Sequence, residues 1–200
     1  MIICLSKGML CVSVFCKKLF MEKMNDLRAL LKHDIQMLYS TEEQIIDALP
    51  AMAERATNPN LRDALRQHLE ITKRQRERLD QIRQMLPADD EDITRYSGVL
   101  ASLMGGTKDK GMDGIIEAGE KIMAENISDE VMDAAIIGAC QKVEHYEIAC
   151  YGTARSFAEQ LGLHEVARLL EETLMEEKEA DMRLTSLAES EVNMRAEMHH

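Results

Sequence analysis

Apolar residues recur at steps of three and four along four long stretches of this chain, a spacing that commits it to helices packed side by side. In the first stretch Leu27, Leu31, Ile35, Leu38, Ile45 and Leu49 share a stripe, so a helix is expected from about Asn25 to Arg55. Thr57-Asn58-Pro59-Asn60 breaks it. Leu61, Leu65, Leu69, Leu79 and Ile82 carry a second helix to about Leu86-Pro87. Ile136, Cys140, Val143 and Tyr151 mark a third, capped by Ser128 or Asp129 and closed past Gln160 by Gly162. Val166, Leu170, Leu174, Leu184 and Leu187 mark a fourth, from about His164 to Glu191. Only three prolines and ten glycines interrupt 200 residues.

Between the second and third helices, residues 93–128 hold most of the glycines and two short apolar groups, Val99 to Leu103 and Ile115 to Ile122. A long structureless loop is uncommon in a compact domain, so this stretch reads as a crossover with one or two short helices. The expected fold is therefore all-α: two helical hairpins joined by a long crossover, the up-down-down-up, ferritin-like variant of the four-helix bundle. The hairpins also resemble each other. Residues 42–82 align with 147–187 at a constant offset, with eight identities in 41 positions, among them Glu42 with Glu147, Leu65 with Leu170 and Arg78 with Arg183. Any two helical hairpins share leucines; the ungapped register across both turns is what carries weight. The domain is expected over 25–191, with an N-terminal extension over 1–24 and a tail over 192–200.

The extension is apolar and bears Cys4, Cys11 and Cys16, but its apolar run, Met9 to Cys16, is too short to span a bilayer. Its basic pair, Lys17-Lys18, follows that run, the reverse of a signal peptide, and the stretch reads as an over-extended start. Five cysteines, none in a C-x-x-C pair, suggest reduced thiols and a cytoplasmic protein. Cys140 and Cys150 are expected as small core residues. A net charge of -12 and 4% aromatic residues argue against a nucleic-acid partner, and nothing points to a membrane.

The informative residues are ionisable groups on the apolar stripes. Glu42 sits between Leu38 and Ile45; His68, Thr72 and Gln75 sit between Leu65 and Leu79. Glu144 and Glu147 lie between Cys140 and Tyr151, and Glu177 and Asp181 between Thr173 and Leu184. Each alone has an ordinary explanation: a hydrogen-bonded core histidine, a solvated acid beside Glu43, or one of the charged run Glu171 to Glu179. Together they do not, because carboxylates converging on one core repel each other and resist desolvation unless cations offset them. An oxygen-rich set with a single imidazole suits iron(II) or manganese(II) better than zinc or copper.

Several strings carry a family resemblance. They are Leu38-Tyr39-Ser40-Thr41-Glu42-Glu43-Gln44, His68-Leu69-Glu70-Ile71-Thr72, and Gly111-Met112-Asp113-Gly114-Ile115. With them go Lys142-Val143-Glu144-His145-Tyr146-Glu147-Ile148-Ala149, Tyr151-Gly152-Thr153, and Thr173-Leu174-Met175-Glu176-Glu177 with Ala180-Asp181. Over about Asn25 to Ser190 the chain resembles the YciE/YciF-type ferritin-like proteins of bacteria. The resemblance implies a cytosolic, dimeric protein associated with stress responses. Ferritin-like di-iron proteins place single glutamates on two helices and Glu-x-x-His on the other two. By position, Glu42 and Glu147 take the single places and Glu177 that of the last helix. Thr72 stands where the second helix would supply its glutamate, and Asp181 where a histidine is expected. Glu144 is the substitute carboxylate and His68 the nearby imidazole, with Tyr39 and Tyr151 behind them. The site so read is a dinuclear iron or manganese centre made of Glu42, His68, Glu144, Glu147, Glu177 and Asp181, acting on dioxygen or peroxide. The alternative is a non-enzymatic, homodimeric stress protein with a structural or vestigial metal site.

Overall fold

The structure, a computed structural model, describes residues 26–86 and 108–198. The expectations about the N-terminal extension, the Val99 to Leu103 segment, Cys4, Cys11, Cys16 and the last two histidines lie outside the described residues. Among the described residues every regular element is helical. Helix α1 spans Leu27–Arg55, α2 Pro59–Met85, α3 Lys110–Met123, α4 Asp129–Gln160 and α5 His164–Leu187. A π-helical turn, Ala188–Val192, leads into α6, Asn193–Met198, so the last helical segment outruns its expected end near Glu191. None of these helices is long and apolar enough to cross a membrane.

Helix ends follow from capping chemistry. Asp26 accepts from the backbone of Ala29 at 2.8 Å to start α1. Asn58 accepts from Asn60 and Leu61 at 2.9 and 3.1 Å, and Pro59 opens α2, where its missing N–H costs nothing. Ser128 caps α4, with Asp129 and Glu130 in the first turn facing its positive end. At the other end Gly162 takes φ 70°, its N–H reaches Glu159 O, and that of Leu163 reaches Ala158 O. These two bonds close α4 in a Schellman turn. The hairpin likeness extends to these ends: α1 stops at Arg55 and α4 at Gln160, α2 starts at Pro59 and α5 at His164, and both pairs are 105 residues apart.

Helices α1 and α2 pack as one pair and α4 and α5 as another. Between pairs, Arg55 approaches Asp129 at 3.4 Å while Tyr151 bonds Glu42, so α4 runs antiparallel to α1. Asn60 reaches Glu191 at 3.0 Å while Arg78 reaches Thr173 at 2.6 Å, so α5 runs antiparallel to α2. The buried carboxylate of Asp133 on α4 holds the first hairpin turn, accepting from Thr57 N, Thr57 Oγ1 and Asn58 N at 2.7–2.8 Å.

The apolar core comes in two blocks. One gathers Ile45, Leu49, Leu65, Met132, Ile136, Val143 and Leu184; the other gathers Leu31, Ile35, Leu38, Leu79, Tyr151, Leu170 and Leu174. On every long helix the residues between the blocks are polar. They are Glu42 on α1, His68, Thr72 and Gln75 on α2, Glu144 and Glu147 on α4, and Glu177 on α5. A buried polar layer thus divides the core across the middle of the molecule.

Candidate metal centre

Within that layer His68, Glu144, Glu147 and Glu177 each present a ligand atom, and these atoms lie within 4.8 Å of one another. Three helices contribute, because each supplies a ligand where its apolar stripe is interrupted. Glu144 and Glu147 are one turn apart and share a face of α4. The glutamates are 2% exposed or less, and Glu42 beside them is fully buried. His68 Nε2 lies 3.4 Å from Glu144 Oε1.

Hydrogen-bond donors are too few for this many acceptors. Gln75 Nε2 donates to one oxygen of Glu177, and the Tyr151 hydroxyl to one oxygen of Glu42. Both oxygens of Glu147, the second oxygens of Glu42, Glu144 and Glu177, and His68 Nδ1 are buried with no hydrogen-bond partner. An unpartnered buried carboxylate costs several kcal/mol, and a native core leaves few such groups without cause.

Electrostatics point the same way. Burial, and then the charge of Glu177, pushes Glu42, Glu144 and Glu147 well above the ordinary glutamate value of 4.5. Without cations these acids are driven towards their neutral forms. Burial also lowers His68 below its ordinary 6.5, against the pull of Glu177, so its approach to Glu144 is not an ion pair at neutral pH. A neutral imidazole and acidic oxygens without donors are the state from which a cation is bound. Four carboxylates carry four negative charges when ionised, which two divalent cations cancel and one leaves half uncompensated. This group of histidine and glutamates could therefore hold a metal ion.

Not every expected residue converges. Glu42 and Asp181 both stand outside the group of four: Glu42 accepts from Tyr151, and Asp181, one turn beyond Glu177, accepts from Gln141 at 3.0 Å and lies 3.6 Å from the exposed His145. Spacing placed it on the right face, but an amide across the α4–α5 seam competes for its carboxylate. Tyr39 is also elsewhere, half-buried with the Arg83 guanidinium 4.9 Å from its ring centre. Tyr151 does stand behind Glu42. Thr72 donates its hydroxyl to His68 O at 2.9 Å, an i−4 bond from side chain to backbone in the turn carrying the imidazole. Cys140 is buried as expected, while Cys150 is only half-buried.

Two buried polar residues beside the centre escape a reading of the sequence alone. Arg78 binds Thr173, Glu172 and Glu176 at 2.6–3.1 Å. Burial works against its charge, but the bonds to Glu176 and Glu172 outweigh that and raise its pKa. In sequence it is one of many arginines on α2; its alignment with Arg183 was the available signal. Asp109 caps α3 through Gly111 N and Met112 N, and accepts from Thr41 Oγ1 and the Tyr146 hydroxyl at 2.9–3.0 Å. It latches the crossover helix to α1 and α4, next door to Glu42 and Glu147. A Cβ on Gly111 would come within 2.5 Å of the Tyr146 oxygen, which is why glycine stands two residues after the cap.

Comparison with known proteins gives consistent matches. The profile of the family described as Domain of unknown function (DUF892) covers residues 26–197. Protein YciF of Escherichia coli K12 is 42% identical over 165 residues, 82% of this chain and 92% of that protein. The crystal structure of the E. coli stress protein YciF superposes with a TM-score of 0.72 at 38% identity, over 85% of this chain and 99% of that one. YcfI from Rhodopseudomonas palustris gives 0.72 at 37% identity, over 83% and 97%. A Xanthomonas campestris protein at 23% identity and TM-score 0.60, covering 86% and 97%, shares the fold.

Proposed function

The chain belongs to the DUF892 family, and from that premise we propose that it is a ferritin-like, stress-associated protein with a dinuclear iron or manganese centre that acts on dioxygen or peroxide. The bundle is read as up-down-down-up, and the working form as a cytoplasmic homodimer. The observation carrying the proposal is Glu147: a carboxylate 1% exposed, with neither oxygen bonded, facing two further carboxylates and an imidazole within 4.8 Å.

Glu147 and Glu144 from α4 and Glu177 from α5 would hold the metals from one side, Glu42 from α1 and His68 from α2 from the others. Gln75 fixes Glu177 and Tyr151 fixes Glu42, leaving each one free oxygen aimed into the layer. Held by these residues, metal ions would supply Lewis-acid and redox chemistry towards a small oxygen species. The apolar blocks above and below keep bulk water out and strengthen the field acting on whatever binds there.

A second reading keeps the metal and drops the chemistry. Thr72 replaces a carboxylate, Asp181 is engaged by Gln141, and the layer holds one imidazole among the described residues, so the set is poorer than the usual di-iron complement. It makes the chain a non-enzymatic stress protein with a structural site. Metal analysis of protein purified without chelators, followed by peroxide turnover, separates the two. The first reading expects two metals per chain with turnover, and expects Glu147→Ala and Glu177→Ala to abolish uptake. Metal without turnover leaves the second reading with a structural site; no metal removes the first reading and leaves the second with a vestigial one.

A further inference from the structure

A cleft of about 100 Å³ runs between α1, the crossover helix α3 and α4. Exposed Asp47 and Glu120 stand at its rim, Ile45, Ile116 and Val143 along its walls, and His68 and Glu144 at its inner end. It is several times larger than the roughly 10–15 Å³ that a single water needs. Small residues set the approach of its two helices, since a Cβ on Gly119 of α3 would meet the Ala139 Cβ of α4 at 3.4 Å.

A second groove of similar size reaches the same two residues between α2 and α5, where Leu65, Ile71 and Leu184 share the lining with Glu176, Glu179 and Arg183. Between the cleft's rim and its inner end the apolar walls offer an ion no solvation and a water molecule few partners, so the space suits apolar gases and small neutral molecules. Side chains packed as in the rest of the core would close it; instead the void leads from the surface to the imidazole of the buried layer.

We propose that the α1–α3–α4 cleft is an access chamber for a small, neutral, apolar molecule of the size of dioxygen, delivered to the His68–Glu144 edge of the centre. The chamber deepens the metal reading, on which its purpose rests, but its occupancy is a property of the metal-free protein. The latch formed by Asp109, Thr41 and Tyr146 keeps α3 in place as its outer wall.

Methyl relaxation of metal-free protein under dioxygen pressure tests this, because dissolved dioxygen is paramagnetic and relaxes the nuclei it touches. Methyls of Ile45, Ile116 and Val143 are expected to relax several-fold faster on oxygenation than those of Leu31 and Ile35, which lie in the other core block. Ala48→Leu, which fills the chamber from α1, is expected to erase the difference; Ala139→Val does so from α4 if the first variant folds poorly. Ala180→Leu, in the charged groove, is expected to leave it intact. Equal relaxation in both blocks, or suppression by Ala180→Leu alone, overturns the chamber. Relaxation as expected in a protein that takes up no metal would sink the metal reading and leave the chamber standing; metal uptake with equal relaxation does the reverse.

Discussion

The Tyr151 hydroxyl on α4 donates to Glu42 on α1, both fully buried, at the boundary between the polar layer and an apolar block. Burial, and then the neighbouring Glu42 charge, raises the phenol well above its usual range, so it remains a neutral donor. Tyr151→Phe deletes that donor and leaves Glu42 as poorly partnered as Glu147. The metal-free variant is expected to lose about 1–2 kcal/mol in urea unfolding, the penalty of a stranded buried acceptor. Unchanged stability would mean Glu42 does not depend on this bond.

Stability of the metal-free protein should fall as pH rises. Glu42, Glu144 and Glu147 have folded pKa values above the ordinary 4.5, so from that pH upward the unfolded chain has released protons that the folded core retains. The stabilisation is complete below 4.5 and is lost on the way up to the raised values, each tenfold gain in proton affinity corresponding to about 1.4 kcal/mol. His68, lowered from 6.5, has the opposite sign, destabilising only as pH falls below that value. Urea midpoints should therefore decrease as pH rises from 4.5 towards the raised values, and above 6.5 His68 no longer opposes the fall. Added manganese should invert the trend, because cations replace the protons. A flat or rising metal-free profile would contradict the crowding of acids in the core.

Arg78 is a cation drawn into the α2–α5 seam beside the centre. Arg78→Ala strands the Thr173 hydroxyl, leaves Glu176 without its counter-charge and leaves Glu172 with Arg168 alone. Both carboxylates are partly solvated, so the expected cost is on the order of 2–3 kcal/mol, below that of a fully buried pair. Arg78→Lys should recover little of it, since a single ammonium cannot reach the three partners as the guanidinium fork does. Chemical denaturation of both variants checks this.

Asp109→Ala should release the crossover helix while the four long helices persist. Hydrogen exchange over Lys110–Met123 is expected to rise at least tenfold, with protection in α1 and α4 retained away from the contact. Gly111→Ala should act similarly by displacing the Tyr146 ring. Protection unchanged in both variants would show that apolar packing alone holds α3.

Much of the centre was legible because a charged residue on an apolar stripe contradicts its surroundings. Glu42, His68, Glu144, Glu147 and Glu177 each interrupt such a stripe, and each is buried or nearly so. Helical spacing fixes a face but not a rotamer or a competing partner, such as Gln141 for Asp181 and Arg83 for Tyr39. Arg78 and Asp109 were obscured for another reason. One lies in a run of charges and the other in a glycine-rich stretch, and both are buried through contacts more than 60 residues away that local periodicity does not encode. The constant offset between hairpins carried further than its identities suggested, reaching the helix ends on both sides of each turn.

The most direct measurement is anomalous diffraction from crystals of protein grown with iron or manganese, at the edge of the metal supplied. Two peaks within bonding distance of Glu147 and Glu177, flanked by Glu42, Glu144 and His68, are the expected result. An anomalous map empty at the polar layer, with these carboxylates bonded only to water or to one another, would contradict the account.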